Sequence, residues 1–368
     1  LPRRLIIAGG GTGGHVFPGI ALAEAFLSRC PDGSVSFVGT ERGLEATVVP
    51  ARGFEIDFVP SGQIRGKGLG ALRGAASMAK GIFVAASVLR RRRPDLVIGV
   101  GGYASVPVAL VAAVSGVPLF LQEQNAVPGR SNRILGRLAR KVYAGFEGAR
   151  SRFPSGRVEV TGNPVRREIV AAAAACGAPA PAPFTVLAIG GSQGARAINR
   201  LVLDMARLSR RDGSSTRFLL QSGAREFDAV QAIIRGEGLP VEALPFTDRI
   251  DALFSRCHAV LMRAGALSIA EAALFGKPCV LVPYPYAADG HQQKNAAEFC
   301  EAGAGRWLRE DDATPEKLLA IFSGWEADPA SASAAASGAR AFARPSAAEK
   351  IVDAALLATA GRAEGSHV

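Results

Sequence analysis

Acid is missing from one long stretch of this 368-residue chain, and charge of either sign from the next. Between Asp57 and Asp95 there is no carboxylate, while Arg65, Lys67, Arg73, Lys80 and the run Arg90 to Arg93 are basic. From Leu96 to Leu121 no side chain is charged. That run is long enough to cross a bilayer, but Pro107, Gly116 and Pro118 divide it. It reads as strand, Gly-rich turn, helix and strand, the apolar pattern of a buried parallel sheet and its covering helix. Cysteine is sparse: Cys30, Cys176, Cys257, Cys279 and Cys300 show no C-x-x-C spacing. This excludes a disulfide framework and a structural zinc site as expectations, and points to a reducing compartment. Aromatic residues make up 7% and no nucleic-acid module is recognisable, so nucleic acid is not an expected partner despite the net charge of +11. No Gly-Lys-Ser/Thr ending marks a P-loop. No D-x-D motif marks a metal-dependent transferase. The chain opens on a strand, and no signal peptide is expected.

What is present is globular: 48% hydrophobic and 20% charged, at a length sufficient for two cores. Short β-like runs alternate with helical ones. Strands are expected at Leu5–Ala8, Val35–Val38, Ile56–Pro60, Leu96–Val100, Leu119–Gln122, Lys141–Ala144 and Val158–Thr161. Helices fit Val16–Ser28, Leu69–Arg90, Pro107–Val114 and Ser131–Leu138. After an Ala/Pro-rich spacer in 171–183 the pattern restarts with strand Phe184–Ile189 and helix Ala195–Leu208. It continues through helix Leu267–Phe275 and strand Cys279–Val282 to a helical region over Thr314–Thr359. The fold class implied is α/β, with doubly wound parallel sheets.

Two Gly-rich turns follow strands and open helices, Gly9 to His15 and Gly190 to Ala195. Glycines there permit a tight turn and close approach of backbone N–H groups to a ligand. Further candidates also fall at strand C-terminal ends, where open parallel sheets gather ligands: Gly101-Gly102-Tyr103, Gln122 to Asn125, Arg263 to Ala266 and Tyr284 to Gln293. The first turn is not a clean dinucleotide fingerprint, and Glu41 alone is a poor ribose ligand. His15 is a titratable side chain at a helix start; a purely structural bond is its other reading. The basic stretch, interleaved with Ile64, Leu69, Leu72, Met78, Ile82, Phe83, Val84, Val88 and Leu89, fits an anionic membrane surface. A solvated helix end is the alternative.

Taken in order and spacing, these motifs closely resemble the bacterial family that adds N-acetylglucosamine to undecaprenyl-pyrophosphoryl-N-acetylmuramyl-pentapeptide. They are Gly9–Pro18, Gly101–Pro107, Gln122–Gly129, Gly162–Arg166, Gly190–Asn199, Arg263–Glu271 and His291–Asn295. The resemblance implies the GT-B fold, two Rossmann-like domains facing a cleft. The expected division is an acceptor and membrane-association domain over 1–163, a UDP-sugar domain over 164–340, and a helix over 341–368 returning to the first domain.

The resemblance also implies roles. Phe246 and Thr247 lie near uracil, and Glu271 takes the ribose hydroxyls. Gly191, Ser192, Gln193 and Gly194 hold the pyrophosphate at a helix start, with charge added by Arg166. Arg263, Ala264, Gly265, Ala266, Leu267 and Ser268 line the donor site. His291 and Gln292 meet the sugar hydroxyls, and Asn199 is a further polar donor-site residue or a local cap. Thr12, Gly13 and Gly14 cradle the lipid pyrophosphate. Tyr103, Asn125 and Asn132 line the acceptor region, with packing and capping the other reading of Tyr103 and Asn132.

The implied reaction is inverting transfer onto the C4 hydroxyl of N-acetylmuramic acid, with His15 as base; an unperturbed imidazole titrates near pH ~6.5. No tightly bound cofactor is expected, and Mg²⁺ at most as a loose stimulant. Partners would be UDP-N-acetylglucosamine, the lipid-linked acceptor, anionic membrane lipid and cell-wall synthesis proteins. The location implied is peripheral, on the cytoplasmic face of the bacterial inner membrane. Alternatives are another GT-B transferase acting on a glycolipid or small aglycone, or a UDP-N-acetylglucosamine 2-epimerase, which would need no acceptor.

Overall fold

The structure is a computed structural model describing residues 3–61, 69–177, 182–191 and 194–360. It divides into two compact units, Leu1–Arg167 with Pro345–Val368, and Glu168–Arg344. The division falls after Arg167 rather than after Asn163, and the return begins at Pro345 rather than residue 341. The segment before the division is tied to the Gly13–Arg29 helix of unit 1: the Arg166 guanidinium lies 4.5 Å over the Phe17 ring, and the Arg167 N–H donates to Glu24 Oε2 at 3.4 Å.

Unit 1 runs β1 (Arg4–Gly9), α1 (Gly13–Arg29), β2 (Ser34–Gly39), α2 (Glu45–Ala51), β3 (Glu55–Phe58), α3 (Leu69–Arg92), β4 (Leu96–Gly101), α4 (Ser105–Val114), β5 (Leu119–Glu123), α5 (Arg130–Leu135), β6 (Lys141–Ala144) and β7 (Val158–Val160). The seven strands are parallel in the order β3-β2-β1-β4-β5-β6-β7. Alternate residues of the central strands enter two different cores. Ile6, Ala8, Val97, Leu121 and Val142 share one core with Val88, Val108 and Leu135 from α3, α4 and α5. Leu5, Ile7, Ile98, Phe120 and Tyr143 share the other with Ile20 and Phe26 of α1, and with Ile351, Val352 and Ala355 of the Ala347–Ala360 helix. Double burial explains why these strands read as continuous apolar runs.

The run Leu96–Leu121 resolves into β4, α4 and β5, and no helix among the described residues is long and apolar enough to cross a membrane. Helix α5 ends at Leu135, with Gly136 as its cap, rather than continuing to Leu138.

Unit 2 begins within α6 (Arg167–Ala175). It continues through β8 (Thr185–Ile189), α7 (Arg196–Arg211), β9 (Arg217–Gln221), α8 (Phe227–Glu237), β10 (Val241–Leu244), α9 (Ile250–Arg256), β11 (Ala259–Met262), α10 (Ala266–Leu274), β12 (Cys279–Leu281), α11 (His291–Glu301), β13 (Gly305–Trp307), α12 (Pro315–Ala327) and α13 (Pro329–Phe342). Its six strands are parallel in the order β10-β9-β8-β11-β12-β13. Val186, Ala188, Phe218, Leu220 and Leu261 pack with Ile198 and Val202 of α7 and with Phe322 and Trp325 of α12. The region expected to be helical to Thr359 is three helices, broken where Asp328 caps α13 and Pro329 starts it.

Helix α14 (Ala347–Ala360) belongs to unit 1 and packs along α1. Arg29 meets Asp353 at 2.7 Å and Arg3 Nη1 donates to Thr359 Oγ1 at 2.7 Å. Each sheet reverses its strand order once, between β1 and β4 in unit 1 and between β8 and β11 in unit 2. Such switch points leave a crevice at the strand C-termini.

Candidate active site

At the switch point of unit 1, β1 and β4 end in glycines with left-handed backbone, Gly9, Gly10, Gly11, Gly101 and Gly102. The two loops touch: the Gly10 N–H donates to Gly101 O at 3.3 Å, and a Cβ on Gly102 would overlap Gly10 O. His15, in the first turn of α1, is half-buried with its ring against this junction. A Cβ on Gly101 would stand 2.8 Å from His15 Cδ2 and 2.9 Å from Nε2. His15 Nδ1 lies 3.4 Å from Thr12 Oγ1. A cavity of about 780 Å³ opens here, lined by Gly10, Gly11, Thr12, His15 and Tyr103, with Arg42 and Lys80 supplying cations and Phe58 an apolar wall. The walls mix a titratable ring, backbone polar groups, cations and aromatic surface, which suits an anionic, partly apolar ligand.

Beside it, Glu123 ends β5 and is buried. Its Oε1 accepts from the Asn125 N–H at 2.9 Å, and its Oε2 from Asn132 Nδ2 at 2.9 Å and the Gly129 N–H at 3.3 Å. Burial pushes the carboxyl above its ordinary value, against the pull of those donors. Asn132 is itself buried and its amide is spent on Glu123 and on Gln122 O. Asn125 is half-buried in the loop so braced. Gln122 donates to Asn163 Oδ1 at 3.0 Å and Asn163 donates back to Gln124 O at 3.0 Å, tying β5 to the Gly162–Arg166 segment.

In unit 2 the loop after β8 carries Gly191 and Gly194 with positive φ, and a Cβ on Gly194 would overlap Ser222 O. Ser192 and Gln193, expected pyrophosphate residues, lie outside the described residues. Asn199 is buried in the first turn of α7, donating to Ser222 O at 3.0 Å, so it ties the start of α7 to the loop after β9. Phe246 is half-exposed after β10, and the Thr247 N–H donates to Gln221 Oε1 at 3.4 Å.

Arg263 is buried: its Nη1 donates to Val282 O at 3.1 Å, its Nη2 pairs with Glu310, and the guanidinium lies 5.5 Å from the Tyr284 ring centroid. The side chain therefore pins the loop after β12. Gly265 caps α10, whose first turn holds Ala266, Leu267 and Ser268, and Asn295 Nδ2 donates to Ala264 O at 3.1 Å. Glu271 is buried on α10. Gln292 Oε1 accepts from the Tyr284 N–H at 2.9 Å, and His291 Nδ1 donates to Ala288 O at 2.8 Å.

Residues 5–144 match the glycosyltransferase family 28 N-terminal domain, and residues 185–351 match the glycosyltransferase family 28 C-terminal domain. The chain is 41% identical to the UDP-N-acetylglucosamine--N-acetylmuramyl-(pentapeptide) pyrophosphoryl-undecaprenol N-acetylglucosamine transferase of Pelobacter propionicus, covering 97% of this chain and 100% of that one. It belongs to this transferase family. The transferase of the same name from Anaeromyxobacter dehalogenans is 43% identical over 86% of this chain and 82% of its own. The crystal structure of Acinetobacter baumannii MurG matches with TM-score 0.77 and 29% identity, covering 97% of this chain and 100% of that one. The two doubly wound units are thus the GT-B fold of these transferases.

Of two buried carboxylates that shape these unit 1 loops, the sequence reading names Glu123 only within the Gln122–Asn125 stretch and Glu45 not at all. Glu45 is 1% exposed and accepts from the Gly11 N–H at 2.6 Å. Its one sequence signal is an acid between glycines and an apolar run. Arg166, expected beside the donor phosphates, is a buried residue of unit 1 stacked on Phe17. The basic stretch is also partly neutralised: Arg91 and Arg92 pair with Asp57, and Arg92 with Glu55, acids just outside the acid-free interval. Lys80, Arg90 and Phe83 stay exposed on α3, whereas Ile64, Arg65 and Lys67 lie outside the described residues. Among the described residues no group of three or more His, Cys, Asp or Glu is placed to hold a metal ion.

Proposed function

We infer that this chain is an inverting hexosyltransferase that moves N-acetylglucosamine from UDP-N-acetylglucosamine to the C4 hydroxyl of undecaprenyl-pyrophosphoryl-N-acetylmuramyl-pentapeptide. The product is the β-1,4-linked lipid intermediate of peptidoglycan synthesis. End-to-end likeness to the named transferases carries this reading.

Unit 1 takes the acceptor. The cavity at its switch point supports this, since Thr12 and the amides of Gly13 and Gly14 at the start of α1 suit a diphosphate. Tyr103 and Asn125 flank the sugar. His15 is the base. In the tautomer that serves as base, Nδ1 carries the hydrogen and faces Thr12 Oγ1, leaving Nε2 to take the proton as the hydroxyl oxygen attacks the anomeric carbon.

Unit 2 takes the donor. The positive-φ loop at Gly191 and Gly194 and the start of α7 face a pyrophosphate leaving group, whose growing charge the backbone N–H groups offset. Glu271 accepts from the ribose hydroxyls, Phe246 and Thr247 meet uracil, and His291 and Gln292 meet the sugar. The enzyme works at the cytoplasmic face of the bacterial membrane as a peripheral protein. Lys80, Arg90 and Phe83 on α3 supply the cations and apolar surface that such contact uses.

Incubation with labelled UDP-N-acetylglucosamine and the lipid-linked muramyl-pentapeptide tests the assignment. Acceptor-dependent label in a lipid product supports it. Epimerised UDP-sugar without acceptor, or transfer only to diacylglycerol, overturns it.

A further inference from the structure

The loop between β1 and α1 is tied to a carboxylate that the transfer chemistry above does not use. Glu45 opens α2, and its Oε2 accepts from the Gly11 N–H at 2.6 Å. Its Oε1 accepts from both the Thr40 N–H and the Thr40 hydroxyl at 2.8 Å. Three glycines from separate segments make room for it. A Cβ on Gly10, after β1, on Gly39, at the end of β2, or on Gly43, before α2, would overlap Glu45 side-chain atoms. Gly10 is therefore small to admit a carboxylate from inside the protein, in addition to any approach by ligand from outside.

We propose that Glu45 is a positioning residue for the acceptor half of the transfer, fixing Gly10 and Gly11, and through them Thr12 and His15, where the acceptor needs them. The inference rests on the function proposed above. Consecutive glycines at φ 147°, 155° and 96° have wide conformational freedom in isolation. Beyond the pairing of Gly9 in the strand ladder, this run is tethered by Gly10 N–H to Gly101 O at 3.3 Å, which is long, and by Gly11 N–H to Glu45 at 2.6 Å, which is short. The next residues are the cap and first turn of α1, with His15 two residues beyond Gly13. Glu45 does not line the cavity, whereas Gly10, Gly11, Thr12 and His15 do. The carboxylate lies behind the loop and acts through it. The Gly11 N–H is committed to Glu45, so the lipid diphosphate falls to the amides further along, at the start of α1.

Two substitutions test this in the full chain. Glu45→Gln keeps the volume but turns an NH₂ toward either Gly11 or the Thr40 donors. Gly43→Ala presses a methyl onto the carboxylate from a backbone position outside the positive-φ range. Each is expected to lower kcat/KM for the lipid acceptor by about 10- to 100-fold, the usual consequence of a misplacement near 1 Å. That figure is taken per UDP-binding site, as counted by calorimetry with UDP.

UDP affinity stays at the wild-type value, amide exchange quickens at Gly11, Thr12 and His15, and the double variant loses no more than the worse single one. A purely structural Glu45 would lower the melting temperature and the number of UDP-binding sites, leaving acceptor kcat/KM per site unchanged; that result overturns the proposal. So does full additivity of the two substitutions. Absence of acceptor-dependent transfer by the wild type overturns the function itself, which is a separate outcome.

Discussion

Gly101→Ala is a severe test of the His15 assignment, because it adds one methyl without touching the histidine. The added Cβ would stand 2.8 Å from His15 Cδ2, whereas carbon atoms rest at about 3.5 Å or more, so the ring must retreat by about 0.7 Å. A shift of that order in a proton acceptor costs roughly 10²-fold in rate. The substitution also places alanine at φ 97°, a strain of about 1–3 kcal/mol. Stability and catalysis must therefore be separated. Gly53→Ala does this: Gly53 has φ 78° and no atom within 4 Å of its virtual Cβ, so it carries the backbone penalty alone.

Steady-state transfer with labelled UDP-N-acetylglucosamine and a lipid-linked acceptor, beside thermal melts, gives both readouts. The expected pattern is lowered melting for both variants, kcat/KM down about 10²-fold for Gly101→Ala, and wild-type kcat/KM for Gly53→Ala. A folded Gly101→Ala enzyme of wild-type activity would refute the placement of the reacting base against this backbone, as would an equal loss in Gly53→Ala.

Four more predictions follow from the same geometry. His15→Ala is expected to lower kcat by roughly 10²–10⁴-fold with UDP binding intact, read by turnover and calorimetry; near-full turnover removes the base from this position. Glu123 is protonated more readily in the folded chain than in the unfolded one, since burial raises its pKa. As pH rises from the ordinary carboxylate range toward that raised value, the unfolded state sheds the proton first and native stability falls. Urea midpoints of the wild type relative to Glu123→Gln should therefore decline with pH over that interval, and a flat difference would be contrary. Burial pushes the Cys257 and Cys300 thiols up to about 12 and raises the Cys279 thiol well above its ordinary value, so iodoacetamide at neutral pH should label these three only after denaturation, as mass spectrometry would show. Deleting Pro345 onward removes Ile351 and Val352, both fully buried, which costs about 3–6 kcal/mol of apolar burial; recovery of a soluble, fully stable protein would contradict the packing of α14 on α1.

The strands were legible wherever both faces are covered. Leu5–Ala8, Leu96–Val100 and Leu119–Leu121 read as strands because both of their faces are packed in apolar cores, and Gln122 extends the last of them as a hydrogen-bonded polar end. Helix α2 gave no such signal: it spans seven residues, carries two adjacent valines and contains Pro50. Strand β13 is three residues long, formed by its pairing with β12. The site behaved similarly. His15 and Tyr103 were singled out as candidates from local positions, a helix start and a strand end, and Glu271 only through the resemblance. Glu45 and Glu123 were not assigned, because their roles exist only through partners: Gly11 lies 34 residues before Glu45, and Asn132 nine after Glu123. Arg91 and Arg92 looked like free surface charge for the same reason, since Asp57 reaches them from another element.

Helix α14 has a consequence for how the polypeptide assembles itself. The surface of α1 that it covers is translated before unit 2, and the cover after it. On the ribosome, unit 2 can close its core while unit 1 still waits with Ile20, Phe26 and their neighbours uncovered. That face of α1 is then sealed only after unit 2 has been made, and an emerging chain stalled before Ala347 presents an oily helix face for chaperones to shield.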